Sequence, residues 1–160
     1  MRVKVMSPVS ASSARRKTGL APAFSLLDQN GQVVALSDFI GKKKLLLVFY
    51  PGDFTPGCSL QLSALRDDWT KFKRTDAVIL GINHADAASH ELFAQRCGLP
   101  FQLLVDPGKK ISTKYGAIQK IGNTKIIRRT VVILNKQGKI IFFKHGMPKN
   151  TDLLKLINAA

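Results

Sequence analysis

Residues 44–58 read Lys44-Leu45-Leu46-Leu47-Val48-Phe49-Tyr50-Pro51-Gly52-Asp53-Phe54-Thr55-Pro56-Gly57-Cys58, and this stretch decides the fold. Lys44–Tyr50 reads as a strand whose run from Leu45 on is unbroken and apolar, the pattern of a central strand covered on both faces. A loop full of Pro and Gly follows, so the chain must turn there. Cys58 then opens an amphipathic pattern reaching to about Phe72, in which Leu62, Leu65, Trp69 and Phe72 recur at spacings of three and four. That spacing is one face of a helix. The first turn of a helix carries unpaired N–H groups and the positive end of the helix dipole. A thiol there is expected to ionise below its free pKa of about 8.5, and a thiolate is a nucleophile. The competing reading of Cys58 is a small buried apolar residue.

Working outward, Asn30-Gly31 reads as the turn of an N-terminal hairpin returning through Val33–Leu36. Strands are expected at Ala77–Ile82 and Phe101–Val105, with a helix from Ser89 to Cys97 that Gly98 and Pro100 close. A short helix is expected over Lys109–Tyr115. Thr130–Leu134 and Lys139–Phe143 flank Asn135-Lys136-Gln137-Gly138 as a second hairpin, and Thr151 reads as the cap of a last helix, Asp152–Asn158. Strands alternating with helices imply an α/β protein with a central mixed β-sheet flanked by helices and extended by an N-terminal β-hairpin. Residues 1–20 read as a basic tail, and residues 21–160 as a single domain.

The chain has 25 Lys plus Arg against 10 Asp plus Glu, a formal net charge of +15. Such a balance suits an anionic partner. The lysines do not form a stripe, and no helix-turn-helix, zinc-finger or RNA-binding aromatic motif accompanies them, so specific nucleic-acid recognition is not expected. An acidic reductant steered by the field is the more economical partner. No stretch approaches the roughly 18–20 apolar residues of a membrane span, so no membrane role is expected. The two cysteines, Cys58 and Cys97, cannot build a disulfide framework, and they offer no metal-ligand spacing. A reducing, cytoplasmic location is the expectation. The alternative is an organelle, with the Arg/Lys/Ser-rich start as a transit peptide.

Chemistry at Cys58 depends on its neighbours. Thr55 can present a hydroxyl from the same loop, and the backbone N–H groups of Gly57 and Cys58 can face a substrate. Pro51 and Pro56 stiffen the loop without adding donors. A cation from elsewhere, best an Arg, would complete the site. Asp53 and Asp86 read as turn and cap residues, His90 as part of a helix start, and His84 and His145 as structural or surface groups.

Pro51-x-x-x-Thr55-x-x-Cys58 resembles the peroxiredoxin active-site motif, and Thr-Pro-Gly-Cys is the form typical of the PrxQ, or bacterioferritin-comigratory, subfamily of the AhpC/TSA superfamily. The resemblance extends from Ala21-Pro22-x-Phe24 through Leu36-Ser37-Asp38-Phe39, Ser89-His90-x-x-Phe93 and Gly98-Leu99-Pro100-Phe101 to Arg129-Thr130 and Gly138-Lys139-Ile140. It implies a thioredoxin-like fold and a peroxidatic Cys58 in a pocket of Pro51, Thr55 and Arg129. Arg129 matches better than Arg128, because it stands nine residues before Gly138. The implied reaction reduces hydrogen peroxide and organic hydroperoxides through a Cys58 sulfenic acid. Thioredoxin or a similar thiol would recycle it, with no metal or other cofactor. Relatives of this kind are often monomers, so a monomer or weak dimer is expected. One departure matters: many such proteins carry a resolving cysteine five residues after the peroxidatic one, where this chain has Ser63. A second family slot aligns with Ala94, one helical turn before Cys97. Cys97 is therefore the remaining candidate resolver, and its competing reading is a packed core residue. The alternative cycle uses one cysteine and an external thiol.

Overall fold

The computed structural model describes residues 19–160. The basic tail falls almost wholly outside them, yet backbone pairing already begins at its end. Gly19 O accepts from Ile140 N at 2.9 Å, and Leu20 bridges Lys139.

Nine strands and five α-helices follow among the described residues. The strands are β1 Ser25–Asp28, β2 Val33–Ala35, β3 Lys44–Phe49, β4 Ala77–Asn83, β5 Gln102–Val105, β6 Ile118–Ile121, β7 Thr124–Ile127, β8 Thr130–Leu134 and β9 Ile140–His145. The helices are α1 Pro56–Asp67, α2 Trp69–Arg74, α3 Ala87–Cys97, α4 Lys110–Lys114 and α5 Asn150–Asn158. Seven strands form one mixed sheet in the order β2-β1-β5-β4-β3-β8-β9. β3, β4 and β5 run parallel, and β1, β8 and β9 join antiparallel to their neighbours. The N-terminal hairpin is thus built into the sheet through β1 and β5.

The apolar run of β3 is continuous because both of its faces are covered. Leu45, Leu47 and Phe49 pack with Val132, Leu134, Ile111 and Tyr115 on the side of α4. Leu46, Val48 and Tyr50 pack with Leu62, Leu65, Phe72, Phe93, Leu153 and Ile157, contributed by the other four helices. Gly81 in the middle of β4 belongs to this second layer. A Cβ there would stand 2.7 Å from Leu103 Cδ2 and 3.3 Å from Tyr50 Cε1. Gly81→Ala is therefore expected to destabilise the fold by about 1–3 kcal/mol through overpacking, read as a lowered denaturation midpoint.

Three expectations need correction. The amphipathic pattern from Cys58 to Phe72 is not one helix: α1 starts two residues earlier, at Pro56, and stops at Asp67. Asp68 leaves helical geometry (φ −103°, ψ 13°). Asn150 Nδ2 clips the break, donating to Ala64 O and Asp68 Oδ2 at 3.0 Å each. Thr151 lies inside α5, whose N-cap is Lys149. A two-stranded ribbon, β6–β7, occupies a segment with no expected element; Gly122, at φ 62°, and Asn123 make its turn.

Candidate active site

β3 is paired on both sides to its last residue, Phe49 opposite Ile82 and Thr130. Pro51 has no N–H with which to continue a ladder, so the chain leaves the sheet there. Thr55 is the N-cap of α1 in extended geometry, and Pro56 takes the first helical position, where its fixed φ fits and its missing N–H costs nothing. Gly57 and Cys58 follow as the second and third helical residues. The first helical hydrogen bond is Ser59 N to Thr55 O, at 2.9 Å, so helix geometry leaves the Gly57 and Cys58 amides without a carbonyl behind them. The Thr55 hydroxyl does not cap the helix. It donates to Gly52 O at 3.1 Å, which commits its proton and leaves its lone pairs to accept.

The same register delivers the arginine. Thr130 sits opposite Phe49, so the residue before Thr130 lies beside the exit of β3. Arg129 is half-buried there, whereas Arg128 is exposed. The Arg129 guanidinium runs along the first turns of α1. Its Nη2 would be 2.9 Å from a Cβ at Gly57, and its Nη1 donates to the buried Gln61 Oε1 at 2.9 Å. Gly57 and Gln61 bracket Cys58 in sequence. Gly57 has no side chain because the guanidinium occupies that space. Gly146 N donates to Arg129 O at 2.8 Å, and the Thr130 hydroxyl donates to Arg128 O at 2.7 Å, fixing the backbone behind the arginine. His145 Nδ1 lies 2.8 Å from that hydroxyl.

Asp53 is more than a turn residue, and here the sequence reading is corrected. Its side chain is 2% exposed. Oδ1 accepts from Tyr50 OH at 2.8 Å and Asn83 Nδ2 at 3.2 Å. Oδ2 accepts from Ser89 Oγ at 2.7 Å and faces His90 Nδ1 at 2.8 Å. Burial pushes the Asp53 carboxyl upward, but the hydrogen bonds from His90, Ser89 and Tyr50 and the charge of His90 outweigh it and hold the group below the usual carboxylate range. Four partners on two oxygens saturate the carboxylate, so it has no capacity left to move a substrate proton.

The AhpC/TSA family model matches residues 19–143. The chain belongs to the AhpC/TSA family. Its relatives include chloroplastic peroxiredoxin Q of Triticum aestivum, 44% identical over 124 residues (78% of this chain, 56% of the relative). Chloroplastic peroxiredoxin Q of Arabidopsis thaliana is 39% identical over 166 residues (97% of this chain, 76% of the relative). The chain thus spans little more than half the length of the wheat relative. Among solved structures, peroxidoxin BcpB of Mycobacterium tuberculosis superposes with a TM-score of 0.82 at 23% identity, covering 89% of this chain and 97% of that one. A mutant of Xylella fastidiosa PrxQ gives 0.79 at 23% identity, covering 85% and 88%. The thioredoxin-like fold of those structures is therefore the fold of this AhpC/TSA chain, and the relatives it resembles in sequence are named peroxiredoxin Q.

In this AhpC/TSA chain the two cysteines lie toward opposite ends of α1. Cys97 ends α3, half-buried against the second apolar layer, and its carbonyl accepts a hydrogen bond from Arg66 Nη1. Arg66 stands eight residues beyond Cys58 on α1, about 12 Å along the axis at 1.5 Å per residue. A disulfide needs Cα atoms within about 7 Å, so a Cys58–Cys97 bond requires part of α1 or α3 to unwind. Ser63 lies in the middle of α1, and Ala94 is buried in α3. Among the described residues no group of three or more His, Cys, Asp or Glu could hold a metal ion, and no helix is long and apolar enough to cross a membrane.

Sequence reading missed Gln61, Tyr50, Asn83, Ser89 and His90 as partners of the site. The Ser89-His90 pair had a signal, since it stood in the family pattern. Nothing local ties it to Asp53, 37 positions away.

Proposed function

We propose that this protein is a thiol peroxidase in which Cys58 reduces hydroperoxides. The observation that carries the reading is the Arg129 guanidinium lying along Gly57 and Gln61, on the helix turn that contains Cys58. The amides at the start of α1 and the guanidinium favour a thiolate over a thiol. That sulfur attacks one oxygen of ROOH, and the O–O bond breaks. The alkoxide leaves and takes a proton to become the alcohol, while Cys58 retains one oxygen as a sulfenic acid. Sulfur loses two electrons and the peroxide gains them. Arg129 and the Gly57 and Cys58 amides offset the charge moving onto the leaving oxygen. The Thr55 hydroxyl, its proton engaged by Gly52, accepts the peroxide's O–H. Pro51 closes one side of the loop without adding a competing donor.

An external thiol then attacks the sulfenic sulfur, releasing water and forming a mixed disulfide that a second thiol reduces. Thioredoxin or a similar dithiol suits this step. Residues 107–151 contain no acidic side chain, so an acidic reductant fits the surface. Cys97 serves as resolver only by the unwinding described above, which favours the one-cysteine cycle. The relatives are chloroplastic by name, which supports the organelle alternative over the cytoplasmic expectation. A monomer or weak dimer is the assembly we propose, by analogy with relatives.

Intact mass spectrometry after one equivalent of hydroperoxide tests the chemistry. The expected product gains a single oxygen on Cys58. Loss of two hydrogens instead would indicate a Cys58–Cys97 bond, and an unchanged mass would sink the proposal. A second expected result separates activity from stability. In Gly57→Ala the new Cβ meets Arg129 Nη2 at 2.9 Å and displaces the guanidinium. Peroxide reactivity should fall by roughly tenfold, the cost of a weakened charge-stabilising contact. Stability should change by less than about 1 kcal/mol, because the gain from alanine as the better helix former offsets the disturbed Arg129–Gln61 contact.

A further inference from the structure

The loop between β3 and α1 is tied to α3 at two consecutive residues. Asp53 reaches the first turns of α3 through Ser89 Oγ and His90 Nδ1, at 2.7 and 2.8 Å. His90 is fully buried, and its Nε2 lies 2.9 Å from Leu104 O in β5. An ionised carboxylate and a carbonyl are both acceptors, so this geometry is met when the ring donates through both nitrogens. Asp53 and His90 are then a buried ion pair. Phe54, the next residue, has φ 66°, a left-handed backbone that a side chain other than glycine's rarely adopts. Its ring is nonetheless seated, 5.2 Å edge-on from Phe93 and 5.6 Å beneath the guanidinium of Arg96, both on α3. Strain at one residue and a buried ion pair at its neighbour show a loop held by its surroundings rather than by its own preference.

We propose that Asp53 and His90 are positioning residues. Their ion pair, with the Phe54 seat, latches the peroxidatic loop to α3 in the conformation that reacts with peroxide. The inference rests on the reading of Cys58 given above. Only four residues separate Asp53 from Cys58, so the latch sets where the first turn of α1 lies. All of the latch's α3 contacts lie between Ser89 and Arg96. Asp53 does not touch the reacting atoms; it acts through the loop.

The test separates the two half-reactions in the full chain. Asp53→Asn keeps the shape and removes the charge, and Phe54→Gly relaxes the backbone while removing the ring seat. Rapid mixing measures the reaction of the reduced protein with hydroperoxide, then that of the sulfenic acid with dithiothreitol. Both variants are expected to slow the peroxide step by about tenfold or more, as misplacement of a reacting group does. They should also raise the pH at which Cys58 alkylation is half-maximal. The thiol step should not slow, and over-oxidation to sulfinic acid should fall, because the opened loop meets thiol sooner. Equal slowing of both steps would show general damage and overturn the latch. If Asp53→Asn does not fold, Phe54→Gly, whose backbone glycine suits, decides alone. A wild-type chain that leaves peroxide untouched overturns both readings. A wild-type chain that consumes it, matched step for step by both variants, overturns the latch alone.

Discussion

Cys58→Ser is expected to reduce peroxide consumption to the uncatalysed background, measured with dithiothreitol or thioredoxin as donor. A serine hydroxyl at the third position of α1 keeps the shape of the thiol but stays protonated at neutral pH. Aligned amides and a guanidinium cannot make up so large a difference in acidity, so no nucleophile forms. The substitution removes one polarisable atom from a helix start and little else, so the folded protein should persist with its denaturation midpoint nearly unchanged. That combination, full loss of turnover in an intact fold, distinguishes the peroxidase from two rivals. A thioredoxin-type disulfide oxidoreductase needs a second nearby cysteine, which α1 lacks, with Ser63 in the family's slot. A binding module that merely retained the fold would show no peroxide consumption to lose. Residual turnover in Cys58→Ser comparable to wild type would transfer the chemistry to Cys97 and discard the site described above.

Much of this was legible in the sequence because it is written in local periodicity. The unbroken apolar run of β3, the Pro/Gly loop and the following helix face predict a buried strand delivering Cys58 to a helix start, and the structure has that arrangement. The family pattern singled out Arg129 over Arg128, and the pairing of Phe49 with Thr130 sets Arg129 beside the exit of β3. What stayed hidden depends on residues far apart in sequence or on backbone angles. The helical spacing of Leu62, Leu65, Trp69 and Phe72 is real, and all but half-buried Trp69 are fully buried or nearly so. Spacing does not reveal that Asp68 interrupts the helix, because the clip comes from Asn150, 82 positions later. The β6–β7 ribbon had a local signal in Gly122-Asn123, flanked by Ile121 and Thr124, a dipeptide suited to a two-residue hairpin turn. Asp53 had none. An aspartate in a Gly-rich loop reads as a solvated turn former, and only the assembled β3, β4 and α3 convert it into a buried acceptor.

Arg129→Ala should lower the second-order rate constant for hydroperoxide by about 100- to 1,000-fold, the usual loss when a preorganised charge-stabilising donor is removed. Two effects combine in that figure. On the proposed reading the guanidinium favours the Cys58 thiolate, so alkylation of Cys58 followed against pH should shift to higher pH in the variant. In the proposed reaction it also donates to the oxygen that gathers charge as the O–O bond breaks, and this loss should persist at high pH, where the thiol is ionised in both proteins. Measuring the rate across pH therefore separates the two: the part recovered at alkaline pH is ionisation, and the remainder is stabilisation of the transition state. Arg129→Lys should fall between, since it restores a point charge without the fork that reaches Gln61 and the Gly57 turn together. Stability should drop by only about 1 kcal/mol, from the buried Gln61 carbonyl losing its partner. An Arg129→Ala protein that matched wild type at every pH would show that the guanidinium beside α1 serves the fold and not the chemistry.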